Sequence, residues 1–185
     1  MKRYFLIFSF FMIAPNIHAQ QESPVIKFSN ITSTGLLSGQ SQNVLTLQTI
    51  NGIKYKTWFA GIGAAYDTYG YTSIPLFIDI RKTIGNKKWQ PFIYADAGVN
   101  FSLYSDILPR KINGVDAYKF YDPFYGETGL GLGRTIYGKT TFTLSAGFSY
   151  KEFSYLQYSY PSSPPGGAQI AFYYRRFSIK MGVQF

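Results

Sequence analysis

Three carboxylates, Asp79, Asp96 and Glu127, are the side chains of this sequence most able to do chemistry. Two carboxyl groups held close together can divide the roles of general acid and of base or nucleophile, as they do in glycoside hydrolysis. In the alternating pattern of the chain, three basic side chains share a face with these acids: Arg81, Arg176 and Lys180. Charges in a confined interior must be paired, so we interpret the six as a neutralising network of salt bridges and hydrogen bonds. A two-carboxylate site is the alternative.

Cysteine is absent from the chain of 185 residues, and its one histidine is His18. The lack of cysteine excludes disulfide scaffolds, thiolate metal sites and cysteine nucleophiles. The glycine-rich segments at 61–63 and 129–133 could suggest phosphate-binding loops, but the sequence predicts no helix after either of them, and such a loop requires one. We therefore predict no cofactor, no metal site and no catalytic residue.

Residues 1–19 have the pattern of a cleaved signal peptide. A basic start precedes an apolar run from Tyr4 to Ala14, and the small residue Ala19 precedes the expected cleavage point. The run is too short to cross a bilayer as a helix. Cleavage would remove His18 and leave a single domain, residues 20–185, without histidine.

Apolar and polar residues alternate along most of the remaining chain, which predicts β-strands with two different faces. The pattern is clear at 140–151, and again where the apolar residues from Phe177 to Phe185 alternate with polar residues or glycine. Further segments with this pattern bring the count to eight strands: 28–38, 43–50, 58–67, 74–81, 89–104 and 127–136. The sequence thus predicts an all-β fold.

Short turns alternate with longer connections between these strands. The short turns are predicted at 51–52, 85–86 and 137–139, and the longer loops at 39–42, 67–73, 105–122 and 152–167. The first turn would put Leu45 opposite Trp58, and the second would put Ile78 opposite Ile93, so that paired residues share the apolar face. This asymmetry is typical of outer-membrane barrels.

The apolar face is predicted to point outward to lipid, and the polar face inward. The polar face carries the six charged residues in mid-strand together with many glycines, which suits a narrow barrel whose interior is just wide enough for side chains. We therefore expect a blocked lumen. Aromatic residues lie toward the ends of the apolar bands, as interface girdles do: Trp58, Tyr66, Trp89, Phe101, Phe142 and Tyr150. A soluble ligand-binding barrel with the faces reversed is the alternative.

Five segments follow one another in a distinctive order: Gly35–Leu37, Leu47–Gly52, Pro75–Arg81, Pro91–Gly98 and Met181–Phe185. In them the chain resembles small outer-membrane β-barrel proteins of the Bacteroidetes type, which are similar to the eight-stranded barrels of the OmpX and OmpA class. The resemblance implies an eight-stranded antiparallel up-and-down transmembrane β-barrel in the cell outer membrane, in contact with outer-membrane lipid. It also implies that the terminal aromatic, Phe185, is the signal read by the barrel-assembly machinery.

Several enzymes are built on such barrels, among them lipid A deacylases, palmitoyltransferases, phospholipases and aspartyl-type proteases. These families use a histidine in the catalytic set, where it activates a nucleophile or water. A mature chain without histidine departs from that pattern, so no enzymatic activity is expected.

Partner binding is expected, if anywhere, in the two longest loops. Their candidate residues combine aromatic rings with cations, which suits an extracellular protein, a glycan or a small apolar ligand: Arg110, Lys111, Tyr118, Phe120, Tyr121, Tyr155, Tyr158 and Tyr160. The alternative is a solvated β-rim without a partner. A formal net charge of +9 would suit nucleic acid, but export makes that partner unexpected, and lysines beside an apolar band can instead reach anionic headgroups.

The sequence therefore predicts a non-enzymatic outer-membrane barrel with a side-chain-filled lumen and a structural or surface-interaction role through its outer loops. One alternative is passage of small apolar solutes through a lateral opening, as OmpW-like barrels are thought to provide. The other is the soluble exported ligand-binding barrel.

Overall fold

The computed structural model describes a large part of the chain: residues 26–40, 42–85, 88–103, 111–112, 115–116, 118–121, 124–137, 140–158 and 167–185. For residues 111–112, 115–116, 118–121, 137, 155–158 and 167–170 the description is of the backbone alone. The predicted signal peptide lies outside the described residues. Within them, no helix is long and apolar enough to cross a membrane.

Eight long antiparallel strands form one closed sheet. They are β1 (Lys27–Gly39), β2 (Asn43–Tyr55), β3 (Trp58–Asp67), β4 (Ser73–Thr83), β5 (Trp89–Ser102), β6 (Phe124–Tyr137), β7 (Thr140–Tyr158) and β8 (Gly167–Gln184). Each strand pairs with the next, and β8 pairs with β1 to close the barrel. The predicted all-β, eight-stranded antiparallel up-and-down barrel is confirmed.

The described part of the connection from β5 to β6 contains three short strands. Lys111–Ile112 pairs with Val115–Asp116, while Tyr118–Tyr121 pairs with residues 154–157 of β7. The third short strand therefore extends the sheet beyond the barrel. We call this end of the barrel, where β1 leads into β2, β3 into β4, β5 into β6 and β7 into β8, the loop end, and the opposite end the turn end.

Polar and charged residues point into the barrel and large apolar residues point out of it. On β4, Asp79 is 0% exposed, while its neighbour Ile78 is 60% exposed. The buried interior also holds apolar residues, among them Phe59 and Phe77. This distribution is the reverse of that in a soluble protein, where buried charges are rare and the core is apolar.

The turn predicted at Asn51-Gly52 is wrong. Strand β2 continues through both residues, and the chain turns instead at Lys56-Thr57, where Lys56 has a φ of 54°. A turn at 51–52 would deprive residues 27–30 of β1 of their partners, because they pair with residues 51–54 of β2.

Because the first turn lies at Lys56-Thr57, the register of β2 with β3 differs from the predicted one. The register of β4 with β5 also differs from its prediction. Leu45 pairs with Leu36 on β1 and not with Trp58, whose partner on β2 is Tyr55. Ile78 pairs with Ala97 and not with Ile93. Both registers are shifted by an even number of residues, so every side chain keeps its predicted face.

The third turn also differs from its prediction. Strand β6 ends at Tyr137 and β7 begins at Thr140, so two residues connect them and not three. Thr140 pairs with Tyr137 but Thr141 pairs with Thr135, so a β-bulge occurs at Ile136. Beyond the bulge, the pairing of β6 with β7 is the one that the predicted three-residue turn would give. The last loop is shorter than the predicted 152–167, because β7 and β8 stay paired as far as Tyr158 and Gly167.

Candidate functional site

The barrel interior holds a charged network. Among the described side chains, four carboxylates and four cations meet there: Asp67, Asp79, Asp96, Glu127, Arg81, Lys151, Arg176 and Lys180. All are nearly fully buried, and the most accessible, Arg81, has a side chain that is 12% exposed. Six of the eight are the residues that the sequence placed on the polar face.

Asp67 and Lys151 were missed, although both continue the inward alternation of their strands. Lys151 lies two positions beyond Ser149, and Asp67 is the last residue of β3. The sequence predicted loops at 67–73 and 152–167, so both residues lay at the predicted ends of their strands. Pairing of β7 with β8 beyond residue 152 keeps Lys151 inside.

The three predicted carboxylates lie side by side. Asp79 on β4 is directly opposite Asp96 on β5, and Asp96 is directly opposite Glu127 on β6. The same row continues through Ser149 to Arg176. We call Asp79, Asp96 and Glu127 the acid row.

Glu127 is the best satisfied member of the acid row. The Lys180 ammonium lies 2.7 Å from its Oε1, which also accepts hydrogen bonds from the hydroxyls of Tyr94 at 2.7 Å and Ser178 at 2.8 Å. The Tyr125 hydroxyl donates to Oε2 at 3.0 Å. These four donors hold Glu127 as an ionic anchor for three strands, because charge-assisted hydrogen bonds are the strong ones.

The other two acids of the row, Asp79 and Asp96, differ in their hydrogen bonds. The Arg81 Nε contacts both carboxylate oxygens of Asp79, at 2.9 and 3.0 Å. Asp96 is 4% exposed, and neither of its carboxyl oxygens has a hydrogen-bond donor among the described residues. Its partners along the row are themselves carboxylates, which accept hydrogen bonds when ionised.

The acid row is packed among side chains and has little room for a substrate. A crevice of about 10 Å³ reaches Arg81 and Phe92 from the turn end, which is space for roughly one water molecule. A Cβ on Gly131 would collide with the Phe92 ring, so glycine allows this aromatic side chain to fill the lumen. In the described part of the chain, no three Asp, Glu, His or Cys side chains are arranged to hold a metal ion.

At the loop end, a second cluster forms around Asp67. Its Oδ2 accepts from Arg176 Nη1 and from Lys151 Nζ, the latter at 3.1 Å, while Oδ1 accepts the backbone N–H of Tyr69 at 2.6 Å. Arg176 also donates to Ser149 Oγ at 2.7 Å. We call Asp67, Lys151 and Arg176 the loop-end triad.

The loop-end triad holds the connection between β3 and β4 inside the barrel mouth. Lys151 Nζ donates to the carbonyl oxygens of Tyr69, at 2.7 Å, and Tyr71, at 3.3 Å. Tyr69 is 1% exposed, and the Tyr71 ring stacks on Phe153 with ring centroids 4.3 Å apart. Residues 68–72 therefore form a cap over the loop-end mouth of the lumen.

The predicted girdle residues point outward in two groups. Trp58, Trp89 and Phe142 lie near the turn end, and Tyr66, Phe101 and Tyr150 lie toward the loop end. Each tryptophan at the turn end has a cation over its ring. Lys82 Nζ is 4.4 Å from the Trp58 centroid, and the Arg134 guanidinium is 4.9 Å from that of Trp89.

The terminal Phe185 is 60% exposed, and its backbone exchanges two hydrogen bonds with Asn30 of β1, at 2.9 and 3.2 Å. The terminal aromatic is therefore held at the seam where β8 meets β1. Its reading by the assembly machinery stays a prediction.

The predicted loop-binding residues are only partly placed. Arg110 and Tyr160 lie outside the described residues, and for the others only the backbone is described: Lys111, Tyr118, Phe120, Tyr121, Tyr155 and Tyr158. The backbone register puts Phe120 opposite Tyr155 and Tyr118 opposite Gln157. Candidates from the two longest loops thus share one extended sheet edge.

Comparison with known proteins identifies the fold. The chain is similar to the outer-membrane protein AlkL, whose structure was determined by solid-state NMR in DMPC bilayers, with a TM-score of 0.51, 8% identity and coverage of 94% of this chain and 96% of AlkL. In fold, it is an outer-membrane type of β-barrel. A second similar structure is Neisserial surface protein A (NspA), with a TM-score of 0.52, 10% identity and coverage of 85% of this chain and 94% of NspA. No family model and no curated protein matches the sequence.

At these identities the likeness extends to the fold and not to the activity, since one fold hosts many functions. The narrower resemblance to Bacteroidetes proteins stays a prediction.

Proposed function

We propose that the chain is an integral outer-membrane β-barrel without catalytic activity, with a lumen closed by its own side chains and a structural or surface-binding role at its loop end. The observation that carries this is the reversal of its two faces, with Ile78 60% exposed beside an Asp79 that is fully buried. A closed barrel pairs its strand backbones with one another and leaves no open sheet edge, which is what a chain in lipid requires. The predicted signal peptide and Phe185 fit export and assembly in that membrane.

Two features support a closed lumen. The acid row and its cations occupy the middle of the barrel, and the cap at residues 68–72 covers the loop-end mouth. A surface-binding role is supported by the sheet edge that Tyr118–Tyr121 and β7 extend beyond the barrel, where a protein or glycan would find aromatic and basic residues.

Fractionation and flux measurements test this function. The chain should stay with outer membranes after a high-salt wash and require detergent for release, whereas recovery in the soluble periplasm would favour the soluble ligand-binding barrel. In proteoliposomes it should conduct neither ions nor small sugars above the level of empty vesicles. Solute flux would contradict the closed lumen while leaving membrane insertion intact.

Partner binding is tested separately with the full chain displayed on intact cells. Capture of a defined protein or glycan that competes with antibodies against residues 105–122 and 152–167 would support the surface-binding role. If no partner is captured and the membrane is weakened on deletion of the protein, the structural role is favoured instead.

One observation favours a second candidate, the lateral passage of small apolar solutes. Ala64 pairs with Leu76 and Asp67 with Ser73, but the ladder between β3 and β4 is interrupted at the two positions between them. Pro75 lies in this interval and has no N–H to donate. The interruption is directly adjacent to the cap.

Uptake of a labelled apolar solute by intact cells tests that candidate. Replacing Pro75 with valine restores a donor and should reduce uptake, whereas Pro91→Val, at a strand position whose pairing with β6 is complete, should leave uptake unchanged. Equal uptake by both variants and by cells without the protein would remove this candidate.

A further inference from the structure

A groove of about 670 Å³ lies on the outer wall of the barrel at the turn end. It runs across β5, β6 and β7, and its lining combines two cations, Lys88 and Arg134, with apolar side chains. Grooves of this size accommodate small-molecule ligands. Its position on the outward face distinguishes it from the charged interior.

The two kinds of lining are arranged in layers. Trp89, Arg134 and Phe142 are directly opposite one another on their three strands, and Leu132 and Leu144 form the next outward row toward the middle of the barrel. Cations therefore lie at the rim of the groove and aliphatic side chains lie deeper. An amphiphile with a charged head and an apolar tail has the same order.

Of the two cations of the groove, Arg134 has its side chain positioned by a ring, and Lys88 is held through its backbone. Arg134 stacks on the Trp89 ring at 4.9 Å, and the backbone carbonyl of Lys88 accepts a hydrogen bond from the Thr135 N–H at 3.3 Å. No carboxylate lines the groove among the described residues. The sequence places two more lysines, Lys87 and Lys139, next to these strands.

The turn end has a second pair of a cation and a tryptophan, Lys82 and Trp58, and its cation has a different environment from Arg134. Lys82 lies over Trp58, and its ammonium already donates to Thr57 Oγ1 at 2.9 Å. Lys82 thus has a protein acceptor, whereas Arg134 lines the groove and its guanidinium has a ring, not an oxygen, as its neighbour among the described residues. Guanidinium groups bind phosphate oxygens in a bidentate manner.

We infer that this groove is a binding site for an anionic glycerophospholipid, with Lys88 and Arg134 on the headgroup phosphate and an acyl chain along Leu132 and Leu144. The inference rests on the proposed membrane insertion. A headgroup with net negative charge is the complement of two cations without a carboxylate, and basic side chains near a membrane surface attract anionic lipids.

Tryptophan quenching by brominated lipid tests the site, because the chain has two tryptophans and one of them lines the groove. Trp58→Phe leaves Trp89 as the reporter of the groove, and Trp89→Phe leaves Trp58 as the reference. Each is reconstituted in phosphatidylcholine bilayers that contain the same fraction of brominated lipid, either as phosphatidylglycerol or as phosphatidylcholine.

Quenching of Trp89 should indicate a preference of about fivefold or more for phosphatidylglycerol, while Trp58 should show a much smaller preference. Replacing Lys88 and Arg134 with glutamine should bring the Trp89 preference to about one. The matched variant with Lys56 and Lys82 replaced by glutamine should keep it.

Equal quenching of Trp89 by the two lipids, or an equal loss of preference in the matched variant, would overturn the site. A preference of Trp89 for brominated phosphatidylethanolamine over both lipids would also overturn the anionic assignment. Failure of membrane insertion has a different signature, since neither tryptophan would then be quenched by brominated phosphatidylcholine.

Discussion

In the middle of the barrel, three carboxylates meet two cations, whereas at the loop end one carboxylate meets two. The acid row leaves Asp96 without a donor. The loop-end triad has one more cation than it has carboxylates, and the ammonium of Lys151 also donates to backbone carbonyls of the cap. The difference separates two uses of buried charge: one cluster joins neighbouring strands, and the other fastens a loop.

The loop-end triad should depend strongly on Arg176, which bonds both Asp67 and Ser149, so the largest effect is expected for Arg176→Gln. Its loss leaves Asp67 with Lys151 as its remaining cation and removes the donor to Ser149. Breaking a buried ion pair from one side costs about 3–5 kcal/mol, measured as the free energy of unfolding in urea from lipid bilayers.

The control for this variant is Arg175→Gln, because Arg175 is the exposed neighbour on the outward face. Its replacement should change the free energy of unfolding by about 0.5 kcal/mol or less. Equal losses for the two arginines would mean that burial of Arg176 contributes nothing.

An intermediate effect is expected for Lys151→Met, which keeps the aliphatic stem and removes the ammonium. Asp67 keeps Arg176, so the expected cost is about 2 kcal/mol, the value of hydrogen bonds to a charged group. Hydrogen exchange should accelerate at the Tyr69 amide, which donates to Asp67. Proteoliposomes should remain closed, because the acid row still fills the middle.

Lys27→Met is the matched control, since Lys27 is exposed near the turn end. It should leave exchange at Tyr69 unchanged. Unaltered exchange in Lys151→Met itself would show that the cap is held by its aromatic contacts and not by the triad.

The smallest effect, and one of opposite sign, is expected for Asp96→Asn. An amide at position 96 can donate to the neighbouring carboxylates, and Asp96 itself has no donor, so the free energy of unfolding should stay the same or rise by about 1 kcal/mol. Asp67→Asn, in which two buried cations lose the negative charge that they share, should be destabilising in the same assay. A clear loss of stability in Asp96→Asn would contradict the account of Asp96 as an acid without donors.

Much of the barrel was predictable from residue types alone. Alternation identified eight strands and the direction of their side chains, including the inward placement of Asp79, Glu127 and Lys180. The two register errors, at 51–52 and 85–86, did not disturb that result, because an even shift leaves each side chain on its face. The third discrepancy was absorbed by a bulge.

The candidate site was less predictable than the fold. Lys151 was missed because the length of β7 near the loop end depends on how far β7 and β8 stay paired. Asp67 was missed because it is the last residue of β3 and its partners, Lys151 and Arg176, lie on other strands. The groove at Arg134 was also missed, because its residues come from three strands and only their register brings them together.

The sequence by itself determined which face of each strand is apolar and which is polar, because a period of two follows directly from strand geometry. Only the tertiary structure decided which residues meet. Asp96 lies between two carboxylates and Lys151 under a cap because of register and closure. Many registers preserve the same faces, so face periodicity cannot choose among them.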